Sequence, residues 1–223
     1  MPRRRAPRKP LSEELWNVPN ILTYGRIVLV PFVMWFLARS GAEGVSEHDA
    51  RVAAFTACVL FSLAAVTDFL DGWVARNWDL GTMVGRFLDP LADKIIVMAS
   101  LVMLVELQRI SAWFVVLLIS RELSITSLRS IATSEGFEVP VEQAGKWKTA
   151  FQLCGLVGLL THFPYPVHFG LGIPVVVIDF NVVGTWLLGL SMFFSVFSAV
   201  QYFFGFAAAA ARRHDEDKAA PDA

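Results

Sequence analysis

Residues 68–94 read DFLDGWVARNWDLGTMVGRFLDPLADK, between two long apolar runs. Four of the five aspartates stand at the margins of those runs. Asp68 and Asp71 are three apart at the end of the first, and Asp89 and Asp93 are four apart at the start of the second. On helices these spacings put each pair on one face, about one turn apart. A short connection between antiparallel helices lets the two acidic faces meet.

The surrounding composition sets the environment of those acids. The 223 residues are 55% hydrophobic and 17% charged, with 18 Phe and 7 Trp, and mean hydropathy is +0.54. Soluble domains average about 25% charged residues, so this chain has too few to cover a water-facing surface. A disordered chain, a secreted disulfide scaffold and a soluble enzyme are excluded, which leaves a multi-spanning membrane protein. The net charge of −1 only averages an uneven polar minority. Cys58 and Cys154 lie inside apolar runs and read as small buried hydrophobes.

Six runs have the length of a span, at 20–39, 51–77, 86–107, 110–134, 146–163 and 180–206. In the third, Pro90 is expected within the first helical turn, where a missing N–H is harmless. Lys and Arg are concentrated on one side of these spans. That side holds Arg3, Arg4, Arg5, Arg8 and Lys9, then Arg76, Arg86 and Lys94, then Arg129, Lys146 and Lys148, and finally Arg212, Arg213 and Lys218. The other side has Arg39, Arg51 and Arg109. Both termini are therefore expected in the cytoplasm, with the acidic cluster at that face. Residues 11–17, LSEELWN, suit a short interfacial helix behind the basic cluster. No cleavable signal segment is visible. The expected fold is an all-α integral membrane protein of six transmembrane helices. A basic cytoplasmic tail and interfacial helix span 1–19, the membrane domain 20–206, and a charged, disordered cytoplasmic tail 207–223.

Four carboxylates converging at a low-dielectric interface repel one another, and each ion costs several kcal/mol unless compensated. Arg76 and Lys94 are too few to neutralise them and also serve a substrate. Protonation aside, hard cations remain. An all-oxygen donor set without His or Cys suits Mg²⁺, Mn²⁺ or Ca²⁺. Two ions sharing carboxylates is the preferred reading, and paired ions of that kind serve phosphoryl chemistry. Gly72 and Gly85 remove side chains beside the cluster, where something must approach closely.

The order Asp68-x2-Asp71-Gly72-x2-Ala75-Arg76-x8-Gly85-x3-Asp89-x3-Asp93 resembles the signature of the CDP-alcohol phosphotransferase family at every position. NVPNILTYGR, SRELSITSLRS and GKWKTAFQ extend the likeness toward members whose acceptor is glycerol 3-phosphate. The resemblance implies transfer of a phosphatidyl group from CDP-diacylglycerol to an alcohol, with release of CMP. It implies that Asp68, Asp71, Asp89 and Asp93 bind the metal, Mg²⁺ or Mn²⁺, two per protomer, and that Asp93 is also the general base. It assigns Asn20, Thr23, Asp68, Gly72, Ala75, Arg76, Thr82 and Gly85 to CDP-diacylglycerol. It also implies a homodimer in the cell membrane. No nucleic-acid partner is expected.

Arg121 and Arg129 are eight apart in the fourth run, and Lys146 and Lys148 open the fifth. Two readings stand. In one, Arg121 pairs with Glu122 or another acid and the lysines reach the headgroups. In the other, these cations take the phosphate of a phosphorylated acceptor such as glycerol 3-phosphate. Arg26, inside the first run, closes the acidic cavity, joins that phosphate site or merely reaches the headgroups, and the first two readings are preferred jointly. His162 and His168, in the long aromatic connection 162–179, read as plain loop residues. Inositol phosphate, serine or phosphatidylglycerol as acceptor remain alternatives, and a divalent-cation transporter is a remote one.

Overall fold

The computed structural model describes residues 18–78, 83–134, 143–168 and 175–219. For 18–19, 69–78, 83–87, 89–90, 93, 143–144, 209–210 and 212–219 it describes the course of the backbone. Six helices are present among the described residues: α1 (Val18–Ser40), α2 (Glu47–Trp78), α3 (Met83–Glu106), α4 (Ala112–Ser134), α5 (Gln143–Thr161) and α6 (Phe180–Ala219). They coincide with the six apolar runs. Three are long and apolar enough to cross a membrane, over Asn20–Ser40, Glu47–Asp68 and Phe180–Ala208. The expected interfacial helix at 11–17 lies outside the described residues.

Several expectations change. His162 and His168 lie outside helices and strands as expected, but the connection around them carries strands: β1 (Pro164–Val167) pairs antiparallel with β2 (Val176–Asp179), Tyr165 opposite Ile178 and Val167 opposite Val176. The helical fold therefore carries a small hairpin. Pro164 and Pro166 fall two apart on β1, so both missing N–H groups lie on the edge turned away from β2. The expected disordered tail from 207 is instead helical to Ala219. Five alanines at 207–211 favour the helix, and Arg212/Glu216 and Arg213/Asp217 are spaced four apart beyond them. Because α3 starts at Met83, Pro90 is its eighth residue, past the first turn, and it removes a ladder bond. Cys58 is buried as expected, but Cys154 is exposed on α5.

Helix ends follow from local chemistry. Ser46 caps α2: its Oγ accepts from the Asp49 N–H at 3.1 Å and donates to Asp49 Oδ2 at 2.8 Å. Asp179 caps α6, its Oδ1 accepting from the N–H groups of Asn181 and Val182. At the end of α5, His162 takes a left-handed φ of 61° and donates its N–H to Gly158 O. The buried Arg109 donates Nη1 to the carbonyls of Leu159 and Leu160, satisfying acceptors that the helix end leaves open. Burial lowers the Arg109 guanidinium to about 10.

The chain divides into two compact units, one ending at Leu107 and the other starting at Gln108. In the first, α1 packs on both α2 and α3. Its buried stripe is Asn20, Thr23, Arg26, Val30, Val33, Leu37 and Ser40, a 3–4 repeat that changes from polar to apolar along the helix. On α2 the buried face runs Ala57, Phe61 and Ala64, and Asp68 is the next residue in that register.

In the second unit α5 and α6 form the main contact. Apolar burial drives helix association little in lipid, where close backbone approach counts for more. Gly155, Gly158 and Gly184 provide that approach. A Cβ on Gly184 would lie 2.6 Å from Leu159 N and 2.7 Å from Gly155 O, both fixed backbone atoms. Gly184→Ala is therefore expected to cost about 1–3 kcal/mol through forced separation of the helices. Gly189→Ala, where nothing lies within 4 Å, is the control. Thermal unfolding in detergent checks this: equal midpoints for the two variants would refute the tight crossing.

His162 yields a pH prediction. Burial, and then the charge of Arg109, holds its imidazole below the usual value of 6.5. The unfolded chain takes up the proton first, so His162 favours the fold fully above about pH 6.5 and loses that contribution as pH falls through the native value. His162→Asn tolerates the left-handed φ and removes the titration. Its unfolding midpoint should depend less on pH between 7 and 5 than the parent's.

Candidate active site

Asp68 and Asp71 lie in the last three turns of α2, and Asp89 and Asp93 in the first three of α3. Both helices pack against α1 within one unit. The two acidic pairs therefore belong to consecutive helices that share a neighbour. Gly72, Ala75 and Arg76 share the end of α2, and Gly85 the start of α3. Thr82 lies outside the described residues.

Asp68 is the one member of the quartet whose side chain is described. Its Oδ1 accepts from Arg26 Nη1 at 2.7 Å, and the two side chains are 41% and 1% exposed. A fully buried guanidinium thus holds one oxygen of a half-exposed carboxylate. Oδ2 takes no hydrogen bond among the described residues. The ion pair places Arg26 against Asp68 of the acidic motif. Such a pair needs its own compensation to persist, since desolvating the charges offsets much of their attraction.

Asn20 and Thr23 precede Arg26 at three-residue steps and are as deeply buried as it is. A polar face of α1 therefore adjoins Asp68. Buried amide, hydroxyl and guanidinium groups persist only with hydrogen-bonding partners.

The donor chemistry fits a hard divalent cation. The segment 68–94 offers carboxylate oxygens and neither His nor Cys. No group of three or more His, Cys, Asp or Glu side chains is gathered for a metal among the described residues, which include Asp68 but not the side chains of Asp71, Asp89 and Asp93.

The cationic residues fall in the second unit. Arg121 Nε donates to the backbone carbonyl of Ser195 on α6 at 2.8 Å, and its Nη1 lies 3.4 Å from Glu122 Oε2. Lys148 Nζ pairs with the same Oε2. Lys148 is buried and does not reach outward, whereas Lys146 is exposed. The Arg129 guanidinium stands 5.7 Å from the ring centre of the buried Tyr202. Arg121, Glu122 and Lys148 thus form one cluster. Sequence reasoning treated Glu122 only as a partner for its neighbour and missed its link to Lys148, 26 residues on. It also missed the carbonyl of Ser195 and the Tyr202 ring. No periodicity connects residues that far apart, and the only signal was an acid beside an arginine in an apolar run.

Comparison with known proteins now bears on these residues. The profile of the CDP-alcohol phosphatidyltransferase family matches residues 16–205. The chain is 35% identical over 192 residues to the CDP-diacylglycerol–glycerol-3-phosphate 3-phosphatidyltransferase of Bacillus subtilis, covering 85% of this chain and 94% of that protein. It is 37% identical over 155 residues to the Haemophilus influenzae protein of the same name, covering 66% and 77% respectively. A CMP-forming cardiolipin synthase of rice is 37% identical over 166 residues, 68% of this chain and 48% of that one. The aspartate motif, its two helices and the polar face of α1 all fall within the matched span: this chain belongs to the CDP-alcohol phosphatidyltransferase family.

Proposed function

We propose that the protein transfers the phosphatidyl group of CDP-diacylglycerol to glycerol 3-phosphate, giving phosphatidylglycerol phosphate and CMP. The observation that carries this reading is the complete aspartate motif on two consecutive helices, with Asp68 held by a buried arginine. The acceptor rests on relatives named for glycerol 3-phosphate that match most of the chain.

Enzymes of this family generally depend on a divalent metal. Asp68, Asp71, Asp89 and Asp93 would hold two such ions, Mg²⁺ or Mn²⁺, and Asp68 Oδ2 suits that role. When bound, a divalent ion neutralises the pyrophosphate and stabilises the departing CMP. Asp93 accepts the proton of the acceptor hydroxyl as its oxygen bonds to the phosphatidyl phosphorus and the bond to CMP breaks. Asn20, Thr23, Gly72, Ala75, Arg76, Thr82 and Gly85 bind or make room for CDP-diacylglycerol. Arg26 orients Asp68, and this contact accounts for its place better than direct binding of the acceptor does. Arg121, Arg129, Lys146 and Lys148 take the acceptor phosphate, Arg121 through Nη2, which makes no hydrogen bond among the described residues.

In this reading all six helices cross the membrane and both termini are cytoplasmic. Residues 20–206 form the catalytic domain, the interfacial helix precedes it, and the protein works as a homodimer. The charges of α4 and the lysines opening α5 are tolerated in the span because they face partners and a phosphate.

The decisive assay is CMP release from CDP-diacylglycerol in detergent with a panel of acceptors. Glycerol 3-phosphate should support turnover, while inositol phosphate, serine and phosphatidylglycerol should not. Turnover with phosphatidylglycerol alone would instead make this a cardiolipin synthase. Chelation should abolish CMP release, and Mg²⁺ or Mn²⁺ should restore it. Metal flux into proteoliposomes without CMP release would mark a transporter. Asp93→Asn should lower kcat by about 10²–10⁴-fold, the range of general-base catalysis. Arg26→Gln should lower activity at limiting metal and recover part of it at high metal, because the loss lies in the placing of Asp68.

A further inference from the structure

We infer that Glu122 is a positioning residue for the acceptor phosphate, holding Arg121 and Lys148 in the places from which they bind it. The inference rests on the acceptor reading above and adds an acid to a site otherwise described by its cations.

The geometry comes from three helices. Glu122 and Arg121 are neighbours on α4, and adjacent residues on a helix diverge. Their contact is accordingly long, at 3.4 Å. Arg121 is instead fixed by its Nε bond to the Ser195 carbonyl of α6. Glu122 reaches across to Lys148 of α5, whose side chain is 8% exposed. One carboxylate oxygen, Oε2, therefore serves both cations. A lysine has a flexible four-carbon stem and a strongly hydrated head, and removing the partner of a buried charge is costly. Arg121 keeps Nη2 for an incoming oxygen.

Two effects of opposite sign act on affinity. A carboxylate near a phosphate repels it, and removing Glu122 would relieve that repulsion. Removing Glu122 also takes one carboxylate partner from the buried ammonium of Lys148. The burial of Lys148 decides the sign in favour of positioning, because loss of a cross-helix carboxylate partner is costly for an ammonium whose side chain is 8% exposed.

The test is steady-state kinetics of CMP release by the full-length protein in detergent, with glycerol 3-phosphate and CDP-diacylglycerol varied in turn. Glu122→Gln should raise the KM for glycerol 3-phosphate about tenfold, the equivalent of one lost charge-assisted contact. Its kcat and its KM for CDP-diacylglycerol should stay within about twofold. Glu122→Asp keeps the charge on a shorter stem and should lie between Gln and the parent. An unchanged or lowered acceptor KM in Glu122→Gln overturns the inference. A parallel loss of both KM values, kcat and thermal stability also overturns it, by showing a merely structural strut. If Glu122→Gln does not accumulate as folded protein, Glu122→Asp decides alone: an acceptor KM equal to the parent's overturns the inference. Arg121→Gln tests the underlying reading separately. If it leaves the acceptor KM unchanged the acceptor site itself is wrong, and if it raises that KM while Glu122→Gln does not, only the inference falls.

Discussion

Like charges brought together where water is scarce must be compensated, and this constraint governs the acidic motif. Four carboxylates on the facing ends of two consecutive helices would drive those ends apart unless something positive joined them. Among the described residues Asp68 pairs with the buried guanidinium of Arg26, which sits on α1 where α1 packs against both acidic helices. One arginine cannot balance four aspartates. An excess of carboxylate oxygens without His or Cys is donor chemistry that fits a hard divalent cation.

α1 is thus more than a membrane anchor. Its buried stripe changes character along its length: Asn20, Thr23 and Arg26 occupy the first turns, and Val30, Val33 and Leu37 the later ones. The apolar part packs the helix against its neighbours, and the polar part carries Arg26, which pairs with Asp68. A single 3–4 repeat carries both tasks, since the stripe that faces inward in the membrane continues inward at its border. The α5–α6 pair uses another device. Glycines at 155, 158 and 184 bring two backbones so close that no side chain fits between them, which gives Lys148 and Ser195 rigid carriers.

The second unit also shows how a buried cation is kept in an apolar helix. Arg121 donates to a main-chain carbonyl and to Glu122, Lys148 shares that carboxylate, and Arg129 lies against the ring of Tyr202. Each positive group has a partner of suitable chemistry, so the cluster can persist before any substrate phosphate arrives. The two readings drawn from sequence for these residues, internal pairing and phosphate binding, are therefore compatible.

Much of this was legible in the residues themselves. Apolar runs set the six helices, because hydrocarbon demands about 20 apolar residues and internally satisfied backbone. The spacings of Asp68, Asp71, Asp89 and Asp93 put each pair on one face of its helix, because a helix turns fixed spacing into a shared face. Misses came where local patterns compete or distant residues meet. The alanines after Phe206 carried α6 through a segment whose charges suggested disorder, and hairpin pairing organised a stretch that reads as loop. Distant partners leave little mark in the sequence, where Arg26 closing the acidic cavity is one reading among several. Arg26 with Asp68, Glu122 with Lys148, and Gly184 between Gly155 and Gly158 were chosen by helix packing. Periodicity specifies which face of a helix is inward but not which neighbour that face will meet.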